Sequence, residues 1–218
     1  MPNSISSTDT ATSAETTPAD SVTQLYAGFL NRAPDPAGAA YWTAQLQGGT
    51  SLDQISQAFA GQTEAASQSA FLANPDVTDT TAVKAFVDAV YSNLFSRAAD
   101  DAGEAYWIGQ LQSGASTPGG TVLSVASGAQ GSDLLAITNK VAVANYLDTQ
   151  VVNNNVAFSM DSAKAAMAAA TSDPSSVAAA QSIVDAYVKT APHAMADGSH
   201  TEVTVVGVSA SHDPGHSV

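Results

Sequence analysis

The sequence predicts an all-α protein: a helical bundle built from two αα-hairpin-containing repeats, with extra C-terminal helices and flexible tails. Three observations carry this expectation. Hydrophobic residues make up 44% of the 218 residues but aromatics only 6%, and this alanine-rich composition suits slender helices in close contact better than sheets of bulky β-branched residues. Apolar residues recur three and four apart, as they do along one face of a helix. Finally, YAGFLNRAPDPAGAAYW from Tyr26 to Trp42 returns 65 residues later as YSNLFSRAADDAGEAYW from Tyr91 to Trp107. The same shift carries Arg32 to Arg97, Asp35 to Asp100, Gly38 to Gly103 and Leu46 to Leu111. Both tryptophans and both arginines of the protein lie in these segments, so a specific unit is duplicated.

Residues 1–18, rich in Ser, Thr and Ala, read as a flexible tail. The first repeat, 19–78, opens with Val22, Leu25, Tyr26, Phe29 and Leu30 on one helical face. Asp35-Pro36 has the form of an N-cap with proline at the first helical position, and starts a second helix that carries Tyr41, Trp42 and Leu46 and stops at Gly48-Gly49. Thr50 or Ser51 can cap a third helix through Leu52, Ile55 and Phe59, and Thr63 a fourth that includes Phe71 and Leu72. The second repeat, 79–155, renews the hairpin with Phe86, Val87, Val90, Leu94 and Phe95, a cap at Asp100, then Tyr106, Trp107 and Leu111 before a stop at Gly114. Ser116 to Gly120 reads as an insertion, Ser132-Asp133 as the start of a long helix, and Asn153 to Asn155 as its end.

Residues 156–191 hold two further helices, about Asp161 to Ala170 and from Asp173-Pro174 to Val188, with no counterpart in the repeats. From 192 to 218 the chain changes character, with four histidines among Gly, Ser, Asp and Pro around one β-like run, Val203 to Val208. This segment is expected to be a second flexible tail, serving either as a secretion signal or as a linker into a following domain.

Six basic against twenty acidic residues give a formal charge of −14, which repels phosphate backbones and anionic lipid, so nucleic acid is not an expected partner. No stretch approaches the roughly 18 apolar residues that a bilayer crossing takes, and membrane insertion is not expected. The absence of cysteine excludes disulfides, thiolate nucleophiles and Cys-ligated metals. Residues 1–20 show neither the basic nor the apolar region of a signal peptide, so any export is expected to proceed without a cleaved one.

Residues with chemistry to offer are few. Arg32 with Asp35 and Arg97 with Asp100 form Arg-x-x-Asp pairs; a guanidinium fork can hold an anion or a hydroxyl-rich glycan, or tie a helix corner to its own aspartate or to helix-end carbonyls. In the structural use, Arg97→Ala lowers stability by about 1–3 kcal/mol. Tyr41-Trp42 and Tyr106-Trp107 can stack on sugar rings or pack in the core, and because helical neighbours point about 100° apart, one member of each pair can do each. Asp100, Asp101 and Glu104 offer calcium a low-affinity site at most, since there is no D-x-D-x-D-G loop, and no other cofactor is expected. No G-x-S-x-G, P-loop or H-E-x-x-H occurs, and every histidine follows Pro192. No metal ligand or catalytic residue is therefore assigned, and the protein reads as a non-enzyme.

The pattern L-Y-x-x-x-L-x-R-x-P-D-x-x-G-x-x-Y-W-x-x-x-L-x-x-G from Leu25 to Gly49, repeated with Val90 and Ala99 in place of the first leucine and the proline, resembles the bacterial domain-of-unknown-function family 4214. The resemblance spans about Val22 to Asn155. It implies an extracellular or cell-surface protein, because similar domains occur in surface-layer proteins, haemolysin-like repeat proteins and adhesins exported by type I secretion. A more distant similarity to phycobilisome linker domains is opposed by charge, since those are basic. The expectation is a non-catalytic structural or attachment module whose partner is a lipopolysaccharide-like cell-envelope glycan or another surface protein, with the oligomeric state left open. A small soluble type I secretion substrate with a regulatory or toxin-accessory role, and a cytosolic helical adaptor, are the alternatives.

Overall fold

The computed structural model describes residues 16–193; the expectations placed on 1–15 and 194–218, including the Val203–Val208 run, lie outside them. Among the described residues the chain forms eleven helices and no strand beyond an isolated bridge between Val156 and His193. The fold is all-α.

Local side-chain chemistry sets most of the boundaries. In α1 (Pro18–Leu30) the Thr17 hydroxyl accepts from the Asp20 N–H while the Thr17 N–H donates to the Asp20 carboxylate, a reciprocal capping box. In α2 (Pro36–Gln47) the Asp35 carboxylate accepts from Gly38 N–H at 2.8 Å. α3 (Leu52–Ala60) is capped by Ser51. The fourth predicted helix is two pieces, α4 (Thr63–Gln68) and α5 (Ala70–Ala73). In the second repeat, α6 (Thr80–Phe95) is capped by Asp79, α7 (Asp101–Gln112) by Asp100 through Gly103 N–H at 2.8 Å, and α8 (Pro118–Ser127) by Thr117. α9 (Gly131–Asn153), α10 (Met160–Ala169) and α11 (Ser175–Val188) complete the chain. Asn31 and Ser96 turn into the left-handed region to end α1 and α6, as Gly49 and Gly114 do after α2 and α7.

These elements refine three expectations. Thr63 does not cap: it is the first residue of α4, and the helix breaks at Ser69 because the hydroxyl there turns back to accept from Leu72 N–H at 3.3 Å and starts α5. The segment Ser116–Gly120 read as an insertion is largely helical: Thr117 is a cap, Pro118 takes the first helical position and Gly119-Gly120 form the first turn of α8. Asp133 does not begin α9, which starts two residues earlier, and its carboxylate is engaged elsewhere, as described below.

The two repeats meet like against like. α1 packs on α6 and α3 on α8, and the Asn93 side-chain amide donates to Gly28 O at 3.0 Å, a bond between residues 65 apart that hold the same place in their repeats. The repeats thus pair through equivalent helices. Close approach is possible because the facing positions are small: a Cβ at Gly119 would stand 2.8 Å from the backbone of Ser56 and Gln57, and Ser56 donates to Gly119 O at 2.8 Å. α9, at 1.5 Å per residue about 34 Å long, closes over α1 and α6, while α10 and α11 pack on α9 and on each other. Tyr146 donates to the Asp185 carboxylate at 2.6 Å and the Asn139 amide to Thr171 O at 2.7 Å, which tie this last pair down.

Lys140 is buried on α9, its ammonium donating to Met167 O at 2.6 Å, one of the unpaired carbonyls at the end of α10. It joins no ion pair among the described residues, and burial lowers its pKa to about 8 from an ordinary 10.5. Between these values the unfolded chain keeps a proton that the folded chain has released, so stability rises with pH. We expect the unfolding midpoint to climb from pH 8 towards pH 10 and Lys140→Met to abolish the climb, as measured by denaturant titration across that range. Above pH 10 buried Tyr26, whose ionisation the fold opposes, reverses the trend. Gly119→Ala is expected to cost about 1–3 kcal/mol in a urea unfolding curve, because backbone rather than a yielding side chain meets the added methyl.

Candidate functional site

Each copy of the motif builds one corner, where the first helix hands over to the second. In the first copy the Tyr26 ring lies under the Arg32 guanidinium, 4.8 Å from Cζ to the ring centroid. The ring's hydroxyl reaches the first turn of α2 at Gly38, where a Cβ would come within 2.2 Å of it; the motif glycine is there to admit the tyrosine. In the second copy Tyr91 lies under Arg97 at 5.3 Å, its hydroxyl 3.0 Å from where a Gly103 Cβ would be, and Trp107 Nε1 donates to that hydroxyl at 3.2 Å.

The arginines are not held by the aspartates the sequence pairs them with. Arg32 Nε and Nη2 each donate to Glu64, both at 2.8 Å, and Nη1 donates to Ala33 O at 3.0 Å; Asp35 approaches only to 3.7 Å. Arg97 does the same with Asp133, at 2.8 and 2.6 Å, and with Ala98 O at 2.8 Å. Asp35 and Asp100 are instead helix caps, and the Gly103 amide holds the Asp100 carboxyl below its ordinary range. The acids that complete the forks sit in the first turns of α4 and α9, where a carboxylate also suits the helix dipole. Sequence reasoning missed both, although Gln62-Thr63-Glu64 and Gln130-Gly131-Ser132-Asp133 share an acid just inside a helix start.

The copies differ in exposure. Arg32 is 1% exposed and Trp42 4%, the latter packed on Phe59 at 5.2 Å between centroids. Burial works against the Arg32 charge, but Glu64 outweighs it and keeps the guanidinium raised. Arg97 is 40% exposed, Trp107 is half-buried, and Tyr106 stands 57% exposed on α7 where Tyr41 is half-buried on α2. At the place of Phe59 on α8 stands the smaller Val125. The eight motif residues therefore form two separate corners, one inside the core and one at the surface. Among the described residues no group of three or more His, Asp or Glu is placed to hold a metal ion, the Asp100, Asp101 and Glu104 set included. Glu104 instead pairs with Lys84, which also reaches Asp88 at 2.9 Å.

Tandem corners of this kind, each an aromatic, an arginine fork and a capped second helix, define a duplicated all-α scaffold. The chain belongs to the family described as Domain of unknown function (DUF4214), whose model matches residues 3–69 and 68–129. The second match ends before Asp133, so the second corner is completed by a residue beyond it. No curated protein and no solved structure matches the chain.

The exposure contrast sets the expected cost of removing each arginine. Arg32→Met should destabilise by about 3–5 kcal/mol, the scale for breaking a buried ion pair. Arg97→Met should cost about 1 kcal/mol or less, the scale for a surface pair, which lowers the sequence expectation of about 1–3 kcal/mol because the side chain is exposed rather than partly buried. Thermal or denaturant unfolding of the two variants side by side checks this.

Proposed function

We propose that the protein is a non-catalytic attachment module at the bacterial cell surface, holding a cell-envelope glycan or another surface protein. One observation carries the reading: the polar groups of the motif brace a corner, and in the second copy that corner lifts an aromatic side chain, Tyr106, into solvent. The forks of Arg32 and Arg97 are engaged by a carboxylate and a carbonyl each, and the motif aspartates by helix N–H groups. A rigid helical support presenting an aromatic anchor beside small residues such as Ala102 and Gly109 suits holding a partner, since exposed, preorganised aromatics contribute strongly to recognition. The extracellular setting is supported by the resemblance of the repeats to domains of surface-layer proteins and adhesins. No helix among the described residues is long and apolar enough to cross a membrane, so in this reading attachment goes through a partner rather than through a helical anchor in this part of the chain. No cofactor enters it.

Fractionation of the source bacterium with an antibody to the protein tests this. The protein is expected in the envelope fraction and to be degraded when intact cells are treated with protease. Recovery as free protein in the medium would support the type I secretion substrate instead, and protection inside intact cells the cytosolic adaptor.

A further inference from the structure

We infer that the face of α7 around Tyr106 and Gln110 is a binding site for an uncharged saccharide, an inference that rests on the attachment reading and names its ligand. The case is a comparison between the two copies, whose corners share one backbone plan but differ at the residues that surround this tyrosine.

Tyr106 is 57% exposed, yet it is not loose. Trp107 meets it edge to face, with centroids 4.9 Å apart at 77°, and the Trp107 indole is itself fixed on the Tyr91 hydroxyl at 3.2 Å. One turn further along the same face lies Gln110, whose side-chain amide makes no hydrogen bond among the described residues. In the first copy the corresponding Gln45 is occupied, accepting from Thr50 Oγ1 at 3.2 Å. In the second copy Ser116 takes the place of Thr50, its N–H donating to Gln110 O at 3.1 Å as the Thr50 N–H donates to Gln45 O at 3.0 Å, but its hydroxyl is engaged with Thr121 Oγ1 at 2.9 Å, and the Gln110 amide is left unmet.

Gly109 adds an independent observation. It lies three residues from Tyr106 on the same side of α7, where the first copy has Ala44. Glycine inside a helix destabilises it relative to alanine, and nothing in the fold asks for it here. Its backbone is helical and absent from the positive-φ residues, and a Cβ built on it would meet nothing within 4 Å. A methyl there would touch neither the Tyr106 ring nor any other group of the fold, so the glycine serves only to keep this stretch of the α7 surface low, as the small Ala102 does on the preceding turn.

A held aromatic ring with an uncommitted amide one turn away is chemistry for a pyranose: the C–H face of the sugar lies on the ring, and its hydroxyls exchange hydrogen bonds with an amide that both donates and accepts. The first turn of α7 carries Asp100, Asp101 and Glu104 in a chain of net charge −14, which repels an anionic sugar or an acidic peptide and favours a neutral one. The site is one ring and one amide, without the groove or strand edge by which proteins hold an extended peptide. Single-site binding is correspondingly weak, and firm attachment comes from many chains on a repeating glycan.

The test is a titration of the full ¹⁵N-labelled chain with neutral gluco-, manno- and galacto-hexasaccharides, and with a hyaluronan hexamer as the anionic counterpart. Saturating shifts at Tyr106, Gly109 and the Gln110 side-chain amide are expected with a neutral hexamer, and none at Tyr41 or Gln45. Tyr106→Ala and Gln110→Ala should each weaken binding by about tenfold, while Tyr41→Ala leaves it unchanged. Gly109→Ala should raise the melting temperature and weaken binding together, a combination that a merely structural glycine does not give. Absence of shifts with every neutral sugar, shifts with hyaluronan alone, shifts with an added peptide alone, or a Gly109→Ala variant that binds as the parent does would overturn the site. Envelope attachment that persists without sugar binding defeats this inference and leaves the attachment reading standing; sugar binding by a protein found free in the medium does the opposite.

Discussion

The buried fork of Arg32 is the interaction on which the rest of the first repeat depends. A guanidinium removed from water must have its N–H groups met, and here Nε and Nη2 are met by Glu64 and Nη1 by Ala33 O. Because Glu64 lies 32 residues from Arg32 in sequence, satisfying one side chain fixes α4 against the α1–α2 corner. The Tyr26 ring beneath the fork then fixes α2, since its hydroxyl fits only where Gly38 omits a side chain. Four of the motif's unvarying letters, Tyr, Arg, Asp and Gly, are thus parts of one joint.

Whatever is local in that joint could be read from the sequence, and whatever is distant could not. Asp35 and Asp100 were legible as caps because a cap acts on an N–H three residues ahead. Glu64 and Asp133 were hidden because the register between the copies changes: the shift is 65 at the arginines and 69 at the acids. Ser132-Asp133 also has the form of a helix start, which drew attention to its backbone rather than its charge. The break at Ser69 was hidden by the continuous apolar pattern through Phe71 and Leu72, both buried as that pattern requires even though the helix is interrupted between them and Thr63.

Exposure was the least legible property. Tyr41-Trp42 and Tyr106-Trp107 are identical dipeptides in nearly identical surroundings, and a helical wheel treats them alike. What separates them is on other helices: Phe59 of α3 covers Trp42, and only Val125 stands at that place in α8. Substitutions at Thr50, Ala44 and Phe59 look neutral one at a time. Only the last of them bears on burial, and it takes coordinates to see that Phe59 is what covers Trp42.

The like-against-like contact also explains why two repeats make a closed object. In a solenoid each unit offers its back to the next, so further copies can be added indefinitely. Here the face used for pairing is the same in both copies, α1 on α6 and α3 on α8, so the face each copy would offer to a further one is already taken by its partner. The asymmetry enters afterwards, when α9 runs past the length of α4 and α5 and receives α10 and α11 on its outer side through Asn139, Lys140 and Tyr146. The first corner, needed to hold the core, is constrained at Tyr26, Arg32, Gly38 and Trp42. The second shares that backbone plan while its outer side chains are no longer required for packing, and a duplicated corner released in this way is free to vary Tyr106, Gly109 and Gln110 without unmaking the fold.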